Sequence, residues 1–281
     1  MLHFPIKPML LQTAVKPYDS LDHIFEWKVD GIRCIMHYNH GNVRLQSKTG
    51  KDCTKVFPEL WVPPVAANEA VFDGEITVLT DGKPDFEAVM ERYLSGDRKV
   101  SQLLIERPAF YVVWDALWID GESAMGLPLL ERKQLLDQVL ENTDVMRKID
   151  WVDGMGLALW QAIKGQGLEG MVSKKKKSRY IPGQRSAAWA KVKNYQESVV
   201  NIFGYSRKDG GILVGTDNRI QGHAIGLGKE ERATLRELLD HYGTEKGGVV
   251  WLPAGIRGRV KFTTLTASGN MRDCSWVSFE V

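Results

Sequence analysis

The chain has 281 residues, 43% of them hydrophobic, and a formal net charge of +2, enough apolar material for one large or two ordinary domains without staples. Its three cysteines, Cys34, Cys53 and Cys274, show no C-x-x-C spacing, which argues against a disulfide framework or a zinc site and fits a reducing compartment. The N-terminus lacks a basic segment followed by an apolar run, and no window approaches ~18 uninterrupted apolar residues, so an intracellular protein without a membrane partner is expected.

Residues 1–20 carry Pro5, Pro8 and Pro17, a pattern of an extended arm rather than a regular element. Ile24 to Lys28 and Ile32 to Tyr38 are predicted strands on either side of a tight Asp30-Gly31 turn. Lys28 follows Glu26 and Trp27 and stands out as a candidate nucleophile. An exposed lysine, with a pKa of ~10.4, is almost wholly ammonium at neutral pH, so a covalent role requires burial or cationic neighbours. Asn39-His40-Gly41-Asn42 reads as a hairpin turn, which places His37 and His40 on a hairpin surface.

Ser47-Lys48-Thr49-Gly50 is a small polar loop suited to approaching a phosphate. Asp73-Gly74-Glu75 interrupts a strand from Ala70 to Leu79, with its two carboxylates on one side of that strand. A short helix is expected between Pro84 and Tyr93, a strand from Phe110 to Trp118 carrying Trp114-Asp115, and a helix after Pro128 with Leu136, Val139 and Leu140 facing inward. A further helix over 154–166 precedes strands at Leu168 to Lys174 and Trp189 to Lys193.

Charge is unevenly spread. From Gln161 to Lys193 there are nine Lys or Arg against one acid, Glu169. The run includes Lys174, Lys175, Lys176, Lys177, Arg179 and Arg185 and suits a polyphosphate or a nucleic-acid backbone, although a solvated basic face would look the same. After Asn194 the chain turns to short strands separated by glycines, with one amphipathic helix, the pattern of a small oligonucleotide-binding (OB) barrel. The expected organisation is α+β, with mainly antiparallel sheets and packed helices over 1–195 and the barrel over 196–281.

Six elements in order carry a resemblance. They are Lys28-Val29-Asp30-Gly31-Ile32-Arg33, Ser47-Lys48-Thr49-Gly50, Asp73-Gly74-Glu75, Trp114-Asp115, Glu169-Gly170-Met171-Val172 and Trp189-Ala190-Lys191-Val192-Lys193. Each is weak or moderate singly, but together and in this order the chain resembles the ATP-dependent DNA ligases of the covalent nucleotidyltransferase superfamily. The resemblance implies a nucleotidyltransferase (adenylation) domain followed by an OB-fold domain. It also implies that Lys28 attacks the α-phosphate of ATP to form a lysyl-AMP, with Lys191 and Lys193 neutralising that phosphate and depressing the Lys28 pKa.

By the same resemblance Glu26 recognises adenine, Trp114 stacks on it, and Arg33 and Glu75 hold the ribose and flank the phosphate. Glu169, with Glu75, is the expected ligand set for Mg2+ or Mn2+. Lys48, Lys174, Lys175, Arg179 and Arg185 are expected on DNA, and the partner is nicked duplex DNA joined by a monomer in the cytoplasm of a bacterial cell or phage-infected host. With no DNA-binding domain ahead of residue 1, the likeness is to minimal phage and bacterial ligases.

Two departures stand out. Lys48 occupies a position where relatives carry arginine, which loses a bidentate fork. The C-terminal motif is reduced to Gly269-Asn270-Met271-Arg272-Asp273-Cys274-Ser275-Trp276, where Arg272 matches the leading arginine but the final basic pair is missing. An RNA ligase or RNA-capping guanylyltransferase shares the lysine chemistry, and a noncatalytic nick- or single-strand-binding protein would use the barrel and basic run alone.

Overall fold

The structure is a computed structural model that describes residues 3–280. The chain divides into two compact units, Met1–Val192 and Lys193–Val281; each is described by itself. In the first unit the elements are β1 (Leu10–Thr13), β2 (His23–Trp27), β3 (Ile32–Asn39), β4 (Asn42–Ser47), β5 (Glu69–Thr80), β6 (Lys83–Pro84), α1 (Phe86–Leu94), α2 (Asp97–Glu106), β7 (Ala109–Ile119) and β8 (Glu122–Ser123). They continue with α3 (Leu129–Val139), β9 (Met146–Lys148), β10 (Trp151–Asp153), α4 (Gly156–Gln166), β11 (Gly170–Lys175) and β12 (Arg185–Lys193).

These strands form two sheets. One runs β1-β12-β11-β2-β10, the other β4-β3-β5-β7-β8, with β6 added to β5 and β9 to β7. Ile24 and Trp189 of the first sheet share one apolar cluster with Ile35, Val71 and Leu117 of the second and with Leu129 of α3. The opposite face of the second sheet is also covered, since Cys34, Met36, Phe72 and Tyr111 belong to another cluster with Phe57, Leu60 and Val89. Both faces of this sheet are therefore packed, and each buried apolar side chain of β3, β5 and β7 contributes roughly 1.5–3 kcal/mol of transfer free energy.

That burial corrects two expectations. Asp73-Gly74-Glu75 does not interrupt its strand; β5 runs unbroken from Glu69 to Thr80 between β3 and β7. His37 is buried rather than on a hairpin surface, with Nε2 3.3 Å from Gln46 Oε1. The arm holds a short strand too: β1 pairs in parallel with β12. Helix α1 starts where the Asp85 side chain accepts from Ala88 N at 2.9 Å, and α2, which sequence periodicity did not single out, follows directly.

Both motif glycines are dictated by close packing. A Cβ on Gly31 would sit 2.2 Å from Ile76 O, and one on Gly74 would sit 2.3 Å from Val112 O. These glycines let the turn after Lys28 lie against β5, and β5 against β7.

In the second unit β13 (Gln196–Ser206) is the longest strand, followed by β14 (Gly211–Thr216), β15 (Arg219–Ala224), α5 (Lys229–Tyr242), β16 (Thr244–Lys246), β17 (Val249–Trp251), β18 (Arg257–Phe262) and β19 (Ser275–Glu280). β13 pairs antiparallel with β14, β17 and β18, and β18 pairs with β19. An isolated parallel bridge, Ile225 to Ser275, brings the end of β15 to the start of β19, so the path through β13, β14, β15, β19 and β18 returns to β13. Its core holds Val200, Ile212, Val214, Val260, Phe262 and Trp276 with Leu235 of α5. The whole is a sheet-dominated α+β architecture, and among the described residues no helix is long and apolar enough to cross a membrane.

Candidate active site

Antiparallel pairing of β2 with β11 sets Met171 opposite Trp27 and Val172 opposite Glu26. One residue beyond the strand end, Lys28 N donates to Gly170 O at 2.7 Å, which fixes the lysine beside Glu169. The Lys28 ammonium donates to Glu169 Oε2 at 2.6 Å, with side chains only 19% and 8% exposed. Burial alone would lower the Lys28 pKa, but Glu169 and then Glu75 outweigh it and hold the amine above its ordinary value. The expectation that neighbouring cations depress this pKa is therefore corrected: the nearest charge is a carboxylate.

Lys28 opens into a cleft of about 270 Å³ that Glu26, Trp27, Arg33, Glu75, Trp114, Lys174, Trp189 and Lys191 also line, with Leu10 and Leu11 of the arm. Glu26 is 1% exposed. Its Oε1 accepts from Lys133 of α3 at 2.5 Å, and its Oε2 lies 2.7 Å from Lys174 Nζ. Burial would raise its pKa, but Lys133 and then Lys174 hold it below the usual carboxylate range.

Lys174 was expected on DNA and is instead buried at 2% exposure, because β11 is covered on both faces. Its Nζ sits 4.3 Å from the centroid of the Trp189 ring and 5.3 Å from that of Trp114, without a directed hydrogen bond. Burial lowers its pKa most, Glu26 opposes this and Lys133 adds to it, leaving Lys174 at about 8.

On the facing sheet Arg33 grips Asp73 through both guanidinium and carboxylate edges, at 3.0 and 2.6 Å. Tyr180 donates to the same carboxylate at 2.8 Å, while Met9 N donates to the Tyr180 hydroxyl at 3.0 Å. Register places Glu75 opposite Arg33. Burial lifts the Glu75 carboxyl most; Lys28 and Arg33 pull it down, Glu169 and Asp73 push it up, and it rests at about 8. Trp114 stands at the cleft wall with its buried Nε1 unpaired, beside an Asp115 that Arg132 holds bidentately at 2.7 and 2.8 Å.

This cleft lies within the part of the chain that known proteins share. The family model for the ATP dependent DNA ligase domain matches residues 6–193. The chain belongs to that family. The SPbeta prophage-derived DNA ligase-like protein LigB of Bacillus subtilis (strain 168) is 37% identical over 206 residues, 73% of this chain and 73% of LigB. The multifunctional non-homologous end joining DNA repair protein LigD of Mycobacterium tuberculosis (strain ATCC 25618 / H37Rv) is 28% identical over 279 residues, which cover 90% of this chain but only 35% of LigD. Among solved structures, a mycobacterial DNA ligase D complexed with ATP and MES superposes with a TM-score of 0.60 at 25% identity, covering 98% of this chain and 95% of that one.

Within this ligase-family unit, Lys48 and Arg185 sit on the cleft wall, and Arg185 donates to Leu11 O. Lys175 and Arg179 are exposed. Lys193 belongs to the second unit, where its ammonium pairs with Asp273 at 2.5 Å. Arg272 also lies in that unit, where its backbone accepts from Thr263 N and donates to Thr264 O at 3.0 Å each.

Sequence reasoning did not single out Lys133, Arg132 or Tyr180. The signal that was available is the inward stripe of α3, where Leu129, Arg132, Lys133 and Leu136 are buried together at helical spacing. Two cations on a buried stripe demand buried anions, and Asp115 and Glu26 supply them.

Proposed function

We propose that this chain is an ATP-dependent DNA ligase that seals nicks bearing a 5′-phosphate and a 3′-hydroxyl, through lysyl-AMP and DNA-adenylate. The observation that carries this reading is Lys28, partly buried in the cleft against Glu169 and sharing its lining with Lys174 and Lys191, in the stretch that matches the ligase family. Phosphate neutralised by lysines and an in-line amine are what nucleotidyl transfer needs.

In the first step the neutral Lys28 amine attacks the α-phosphorus of ATP. A P–N bond forms, the bridging α–β P–O bond breaks, and pyrophosphate leaves. Glu169 is placed to take the ammonium proton, since its Oε2 already accepts from Nζ. A DNA 5′-phosphate oxygen then attacks the adenylate phosphorus and frees Lys28. Finally the 3′-hydroxyl attacks the 5′-phosphate and AMP departs. Trp114 stacks on adenine, and Arg33 and Glu75 face the ribose and phosphate.

Among the described residues no group of three or more His, Cys, Asp or Glu is arranged to hold a metal. Magnesium bound together with a nucleotide needs only one or two carboxylates besides phosphate oxygens, so Glu169 and Glu75 fit it. When bound, Mg2+ would neutralise phosphate charge.

The second unit is read as an OB-fold barrel that grips the duplex, with Lys175, Arg179 and Arg185 on DNA phosphates. The enzyme would act as a monomer in the cytoplasm of a bacterial cell or phage-infected host. The assay is joining of a labelled nicked duplex with ATP and Mg2+. Sealed product that requires the 5′-phosphate supports the reading; binding without joining would favour a nick-binding protein.

A further inference from the structure

We propose that Lys133, on α3 behind the nucleotide cleft, is a positioning residue that sets which base the cleft accepts. The inference rests on the reading that this cleft takes ATP, and adds to it a residue that does not line the cleft at all. Lys133 is 5% exposed, and its ammonium donates to Glu26 Oε1 at 2.5 Å. Its neighbour Arg132 does not share the task, being used up by Asp115, Leu127 O and Ser178 O.

Two lysines thus converge on one carboxylate, from different sides. Lys133 neutralises Glu26 from outside the cleft. Lys174, which does line the cleft, stands 2.7 Å from Glu26 Oε2 with its buried Nζ over the Trp189 and Trp114 rings. The cleft therefore offers an acceptor, Glu26, and a donor, Lys174, side by side.

Adenine presents the matching edge: a 6-amino donor next to the N1 acceptor. Hypoxanthine has the same outline but reverses both groups, with a 6-oxo acceptor and an N1–H donor, and guanine does the same. If Lys133 is removed, Glu26 has only Lys174 to balance it. Glu26 and Lys174, already 2.7 Å apart, are then each other's sole counter-charge, and because an uncompensated buried carboxylate is costly neither is released to a base.

The test is equilibrium binding of ATP and of ITP, followed by quenching of tryptophan fluorescence, on the full chain and on Lys133→Met, with thermal melts of both. The wild type should prefer ATP over ITP, and Lys133→Met should lose about tenfold of that preference while still melting cooperatively. Lys133→Gln keeps a donor against Glu26 without the charge, and is the variant to read if Lys133→Met does not melt cooperatively. An unchanged ATP-to-ITP ratio in the folded variant overturns the proposal, even if both affinities fall together, because that is what a merely structural residue would do. A wild type that binds neither nucleotide overturns it as well. Preference for ATP without any covalent adduct would instead contradict the proposed function and leave the base-choice inference standing on its own ratio.

Discussion

Lys28 Nζ and Glu169 Oε2 lie 2.6 Å apart, which makes the candidate nucleophile one half of a largely buried ion pair. The same carboxylate that could take its proton keeps it charged while no substrate is bound. Glu169 and then Glu75 raise the Lys28 pKa against the effect of burial. Replacing Glu169 by glutamine should therefore lower it. In the presence of a chelator, labelling of Lys28 by an amine-reactive reagent, read by peptide mass across a pH series, should set in at lower pH in Glu169→Gln than in the wild type. Onset at the same or a higher pH would show that Glu169 does not hold the ammonium.

Lys174 gives a stability prediction with a definite sign. Its folded pKa is depressed to about 8, against ~10.4 in an unfolded chain. Between those values the unfolded state binds more protons than the folded one, so this group adds stability as the pH rises through that window. Below the window both states are protonated and the contribution is flat. The melting temperature of the wild type minus that of Lys174→Met should grow from pH 8 to pH 10. A difference that shrinks over that range would mean the lysine is not buried as a strained cation.

The fold and the centre of the site were legible because they rest on local patterns. The strands at Ile32 to Tyr38 and Ala70 to Leu79 were expected from composition, the Asp30-Gly31 turn and the Glu169-Gly170 step imply a strand end or a close approach, and antiparallel pairing of β2 with β11 brings Lys28 to Glu169. What was hidden is burial of charge. Lys174 sits in a row of four lysines that looks like a solvated face, yet only the strand's packing decides that it points inward while Lys175 is exposed. Lys133 is hidden for the same reason, since its partner Glu26 is 107 residues away. Lys193 looked equivalent to Lys191 by spacing alone, and its pairing with Asp273 is a non-local contact that spacing cannot reveal.

Exposed Lys175 and Arg179 lead to a salt prediction. Each phosphate contact contributes about −0.9 to the slope of log affinity against log salt concentration. Titration of a nicked duplex with Lys175→Ala or Arg179→Ala should make that slope shallower by about 0.9 per residue, with little dependence on sequence. A slope identical to the wild type for both variants would remove these two residues from the DNA path.

The central claim is that Lys28 carries the AMP, and intact mass measures it directly. Wild type incubated with ATP and Mg2+ should gain the mass of one adenylate, and added pyrophosphate should remove it. Lys28→Ala and Lys28→Arg should gain nothing, the arginine because its guanidinium keeps its proton, while Lys28→Ala should still join a nick that already bears a 5′-adenylate. A single adenylate on Lys28→Ala would contradict the assignment of the nucleophile.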